Sequence, residues 1–211
     1  AMAVKKYAEE QVDERRNSRF VIYLGDIIMI SQLQEKDNLI AYTDEMDRLC
    51  RMARKVCNAR VTAGIGYLCD SLEQIPFSYQ GAKQAVSYRV LYGNIRSISI
   101  SEVEPGETAE LQRVDAYADL IQRIIKKIRV GEENVLQEAI HDFIQLLGEA
   151  HLSMQNYRIV MMELISELVR FAAGHDLSID NVSGTGTDAY HQALQMESTE
   201  ALERWLLDLC R

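Results

Sequence analysis

Few side chains in this 211-residue chain are of types and spacings that could do chemistry. In the stretch YLGDII, residues 23–28, Gly25 and Asp26 sit between two apolar runs, as an ordinary hairpin turn does. The four histidines, His141, His151, His175 and His191, stand 10, 24 and 16 residues apart, without the close pair a zinc site normally takes from one segment. SGTGTD, residues 183–188, is glycine-rich but lacks the lysine of a phosphate-binding loop and follows no buried strand. It reads as a connection ending in a cap at Thr187 or Asp188. No Gly-x-Ser-x-Gly arrangement presents a nucleophile, and most carboxylates fall on solvated helix faces. Met154, Tyr157, Met161, Met162 and Phe171 share one helix and could line a ligand pocket, though such residues more often serve as core or helix-partner surface. Spacing alone gives no active site and no metal site.

The elements around these residues change period once. Residues 3–16 read as a charged helix. RFVIYLGDIIMISQL, residues 19–33, is β-branched and aromatic on both sides of Gly25-Asp26, a hairpin pattern. Residues 42–57 return to helical spacing, with Met46, Leu49, Met52, Ala53 and Val56 expected on one face. Residues 60–68 read as a strand whose glycines permit close backbone approach. A helix is expected from an N-cap at Ser78 to Gly93, then a strand over 95–101. Pro105-Gly106 marks a linker within 104–108. Beyond it the period stays helical, in three stripes. The first runs from Tyr117 to Ile128 and closes at Gly131; the second runs from Leu136 to Leu147 and closes at Gly148. The third, capped by Ser153, runs from Tyr157 to Phe171 and ends at Gly174. Short helices finish at Trp205-Leu206-Leu207. Amphipathic helices on short loops make a bundle.

The composition is that of a soluble globular protein, 47% hydrophobic and 26% charged. No run reaches the ~18 to 20 apolar residues of a membrane span. Cys50, Cys57, Cys69 and Cys210 form no CxxC pair and read as reduced thiols in a cytoplasmic protein. Residues 1–107 carry 14 basic against 15 acidic side chains, a net of −1; residues 108–211 carry 9 against 17, a net of −8. Such an acidic half repels phosphate backbones, so the chain itself is not expected to bind DNA or RNA.

Residues 61–98, VTAGIGYLCDSLEQIPFSYQGAKQAVSYRVLYGNIRSI, resemble the second half of GGDEF domains. Gly64-Ile65-Gly66 stand where that family has a Ser-Ile-Gly-like triplet. Ala82 and Ala85 occupy its helix core, and Gly93-Asn94 fall where it has Gly-Arg-Asn. YLGDII falls at its signature hairpin. The variant most similar is the degenerate one inside AraC-type two-component response regulators, and residues 109–211 resemble the helical connector found there.

The resemblance implies an α+β fold: a GGDEF-like (nucleotidyl-cyclase/ferredoxin-like) sheet-and-helix domain over 1–107, lacking its first strand, followed by an all-α bundle over 108–211. In the family that strand is central, so its absence implies a gap in the sheet. The resemblance also implies lost chemistry. Leu24 replaces the first signature glycine, Gly25 and Asp26 are kept, and Ile27 and Ile28 replace the glutamate and phenylalanine. Isoleucine can neither bind Mg²⁺ nor accept a proton. The inhibitory Arg-x-x-Asp would fall at Arg15 and Ser18, and the phosphate-touching lysine near Val90, with Arg89 the nearest cation.

The expectation is therefore a non-catalytic central segment, without cofactor, of an AraC-type transcriptional response regulator. It would act as a homodimer, relaying state from a receiver domain to a helix-turn-helix domain, both outside this chain, and DNA would be met only through the latter. The alternative is a sensor in which Gly25, Asp26 and Gly64 hold GTP or a cyclic dinucleotide without turnover.

Overall fold

The computed structural model describes residues 1–12, 16–34, 38–104, 111–150, 152–175 and 186–210, without the side chains of 111–116, 186 and 187. Two compact units emerge: residues 1–86 with 94–101, and residues 87–93 with 102–211. Most of the expected linker, residues 105–108, lies outside the described residues.

The first unit is built on one long helix. Asn38 caps it by accepting the Ile40 amide at 3.0 Å, and it runs over Leu39–Cys57. We label it α2, after α1 over Met2–Gln11, which packs on it. The expected stripe is corrected here. Tyr42, Met46, Cys50 and Ala53 are the buried residues, while Met52 and Val56 are exposed. At about 100° per residue the latter two lie well round the helix from Met46.

Two antiparallel strands follow α1, β1 over Arg19–Tyr23 and β2 over Asp26–Ile30, with Phe20 opposite Met29 and Ile22 opposite Ile27. Phe20 and Met29 pack on the cluster of Val12, Tyr42 and Met46, as does Ile65 of β3, Ala63–Ile65. A parallel strand needs a crossover. Helices α3 (Ile75–Ser87) and α4 (Arg89–Tyr92) supply it, returning to β4 (Ser97–Ser99) beside β3. The Ser97 amide donates to the Asp47 carboxylate at 3.1 Å and its hydroxyl to the Thr43 carbonyl at 2.7 Å, fixing β4 to α2.

The helix start expected at Ser78 is also corrected. A single 3-10 turn over Leu72–Gln74 leads directly into α3 at Ile75, with Pro76 in the first turn, where a missing N–H is tolerated. The last strand stops at Ser99, and residues 100–103 are helical, α5 (Ile100–Val103).

These four strands form two separate two-stranded sheets, not one. The α+β part and the helices after it are compatible with the expected fold.

Cys50 is wholly buried in this unit. Burial, first, pushes its thiol from 9.0 up to about 11; the Ala63 backbone hydrogen bond opposes it, and lesser effects of Asp47 and Arg51 act in opposite senses. The folded state then keeps a proton that the unfolded chain releases. Stability is unaffected below pH 9 and falls as pH rises to 11, by about 3 kcal/mol in all. Urea unfolding across that window should show the fall in the wild type and lose most of it in Cys50→Ala.

The second unit is helical. α6 (Leu111–Val130) packs on α7 (Glu133–Glu149) and α8 (Met154–Ala173); α9 (Gly186–Gln195) packs on α8, and α10 (Thr199–Cys210) on α7. The Tyr117 hydroxyl donates to the Leu146 carbonyl at 3.2 Å, tying α6 to α7. Ser153 accepts the Asn156 amide at 3.1 Å, the expected cap of α8. Gly131 ends α6 at φ +73°, as expected, but Gly148 lies inside α7. Thr187 and Asp188 lie inside the first turn of α9 rather than capping it. Tyr88 explains why residues 87–93 join this unit: it is fully buried, and its hydroxyl accepts the Met154 amide at 3.2 Å.

Candidate functional site

The hairpin carries the only signature-like residues of the chain, and its two ends are built differently. At the tip, Leu24 has φ +50° and Gly25 φ +89°, so both central residues of the two-residue turn are left-handed. The turn is thus Leu24-Gly25, one residue earlier than expected, and Asp26 is the first residue of β2, opposite Tyr23. This turn type favours Asn-Gly; leucine there is strained by about 1 kcal/mol, and its side chain, 80% exposed, recovers nothing by packing. Leu24→Asn should therefore raise stability by about 1 kcal/mol, visible as a higher urea midpoint with an unchanged m-value.

At the open end a polar cluster joins the hairpin to α2. Ser18 and Ser31 hydroxyls meet at 2.7 Å, and Tyr42 donates to Ser31 at 3.3 Å. The Gln32 amide donates to the Arg16 carbonyl at 2.8 Å, and Asn17 donates to the Gln32 side chain at 3.3 Å. Arg16 pairs with Glu45 at 2.5 Å and lies over the Tyr42 ring, 4.9 Å from its centre. Burial raises the Tyr42 hydroxyl's pKa, against the Ser31 hydrogen bond and Arg16. Sequence reading missed this cluster, whose members lie up to 29 residues apart. Ser18, expected at a lost inhibitory motif, is used here to hold Ser31; Arg15 lies outside the described residues.

Asp26 is exposed. Ile27, where the resemblance places a glutamate, faces the same side as Phe20 and Met29. No three His, Cys, Asp or Glu side chains among the described residues stand close enough to hold a metal ion. A hard cation such as Mg²⁺ needs several oxygen ligands. A hairpin offering one carboxylate beside isoleucines does not fit it.

Gly64 is placed on β3, where α3 crosses. A Cβ on Gly64 would stand 2.0 Å from the Ala82 carbonyl oxygen, and one on Gly66 1.9 Å from that of Ser78. The space their missing side chains leave is filled by the helix backbone. Gly25 has nothing within 4 Å of such a Cβ. Val90 is buried, and Arg89 pairs with Glu197 at 3.8 Å within the helical unit. Gly93 ends α4 at φ +85°.

A hairpin and a parallel β-α-β unit, both on one long helix, define the first unit as a small α+β module. The family described as a GGDEF-like domain matches residues 2–88 of the chain, a stretch that ends before β4. No curated protein matches the chain significantly, and no solved structure does. The match detects a GGDEF-like domain over residues 2–88, and such a domain suggests signal transduction. No helix among the described residues is long and apolar enough to cross a membrane.

Proposed function

We propose that this chain is a non-catalytic, dimerising segment of an AraC-type transcriptional response regulator. It relays the state of a receiver domain to a DNA-binding domain, both lying outside residues 1–211. The reading of lost catalysis rests on Ile27, which stands where the resemblance places the signature glutamate and faces the Phe20–Met29 side of the hairpin. The mechanism is mechanical. A change in dimer geometry enters through the first unit and leaves through the helices of the second, and the net charge of −8 over residues 108–211 keeps this chain off DNA.

Incubation with GTP and Mg²⁺ should yield no cyclic di-GMP, and its appearance would overturn the reading. Calorimetric titration with GTP and with cyclic di-GMP should give no heat on folded protein. Micromolar binding that weakens in Asp26→Ala would favour the sensor alternative instead.

A further inference from the structure

The hairpin is apolar on both faces, and among the described residues the two are covered unequally. Phe20 and Met29 pack on the α2 cluster, and Ile22 and Ile27 share their side, with Ile22 40% exposed toward the tip. The other side carries Val21 opposite a half-buried Ile28, flanked by Tyr23 and Ile30; Val21, Tyr23 and Ile30 are 51%, 52% and 41% exposed, and the Tyr23 ring meets that of Tyr79 on α3 edge to face, 6.4 Å between centroids. Antiparallel sheets with one solvated face normally alternate apolar with polar. Strands apolar on both sides belong to sheets covered on both sides.

The same outer face is charged at opposite ends. Arg19 stands at the open end, opposite Ile30, and Asp26 at the tip, opposite Tyr23. Neither forms an ion pair among the described residues; Arg19 donates only to the Ser18 carbonyl, at 3.3 Å.

We propose that this outer face is the contact between two copies of the chain. A two-fold axis lying in the plane of contact and crossing the strands sets the Arg19 end of one copy over the Tyr23–Asp26 end of the other. The contact is then isologous: Arg19 of each copy meets the Tyr23 ring and, one strand spacing of about 4.8 Å away, the Asp26 carboxylate of its partner. Val21 and Ile28 fill the centre. The exposed parts of Val21, Tyr23 and Ile30 with Ile28 would form the apolar centre of such a contact, with Arg19 and Asp26 at its polar rim. The inference rests on the reading of the chain as a dimerising segment and supplies its surface.

Sedimentation velocity of the whole chain, from low micromolar to several hundred micromolar, tests it. The wild type should dimerise. Arg19→Glu and Asp26→Arg, both on the exposed face, should each raise the dissociation constant about 10-fold, because each sets like charges together twice. The double variant should return to within about 3-fold of wild type, a rescue that a folding defect would not give. A wild-type dimer unmoved by any of these variants would overturn the hairpin interface while leaving dimerisation standing. A wild type that stays monomeric throughout would overturn both.

Discussion

Gly64→Ala should destabilise the chain by about 3 kcal/mol, a large share of the ~5–15 kcal/mol of an ordinary domain. The reason is geometric. The added methyl carbon would lie 2.0 Å from a backbone oxygen of α3 and 2.7 Å from a Val86 methyl, and a helix backbone cannot yield as a flexible side chain can. Either α3 lifts from β3 or the parallel pair with β4 is lost. Gly66→Ala should behave alike, against the Ser78 carbonyl. Gly25→Ala is the control: it has open space around it and loses only its left-handed freedom, about 1 kcal/mol. Urea midpoints of the three variants give the comparison. A Gly64→Ala protein as stable as Gly25→Ala would mean that α3 does not press on β3. That outcome would also reopen Gly64 as part of a ligand cradle.

Phe143→Ala should cost about 4 kcal/mol in the helical unit. The ring is fully buried and meets Tyr117 edge to face, with centroids 5.9 Å apart, so its loss empties the α6–α7 contact. For a chain of this length the melting temperature should fall by about 10 °C. Met162→Ala on α8, at a side chain 55% exposed, should change it by no more than about a degree or two. Calorimetry of the two variants against wild type checks both values. Equal shifts would contradict the assignment of Phe143 to the core.

Much of the helical unit was legible because its apolar residues keep one period through each helix. Leu136, Ile140, Phe143, Ile144 and Leu147 are all buried, as are Tyr157, Val160, Met161, Leu164 and Leu168. Phe171, at the end of the last stripe, is only partly buried. The first unit was harder to read. In α2 the buried stripe takes Tyr42 and Cys50 rather than Met52 and Val56, because four-residue steps from Met46 turn only about 40° round the helix whereas Met52 and Val56 lie about 120° and 80° away. Ser78 has the chemistry of a cap, but Pro76 starts the helix earlier. At the hairpin the expectation put Asp26 in the turn; a leucine with positive φ is too uncommon to expect from sequence.

The candidate site was legible only in part. That Ile27 stands where the resemblance places the signature glutamate is read from sequence alone. The direction Ile27 faces follows from the strand pairing, which depends on where the turn falls. The polar cluster of Arg16, Ser18, Ser31, Tyr42 and Glu45 had no local pattern, since it joins three elements distant along the chain.

That cluster bears on how the hairpin keeps its alignment. A strand with one greasy side and one wet side resists slipping, because a shift of one residue would turn its greasy side outward. RFVIY and DIIMI have no such safeguard: after a slip, isoleucines and valines would still meet isoleucines and valines. The middle of this ribbon is indifferent to its own register. The choice falls to its ends, a tight left-handed turn at one and a knot of hydroxyls, amide and guanidinium at the other. Loosening the knot would leave the ribbon intact but free to slide, with Arg19 and Asp26 carried off their marks.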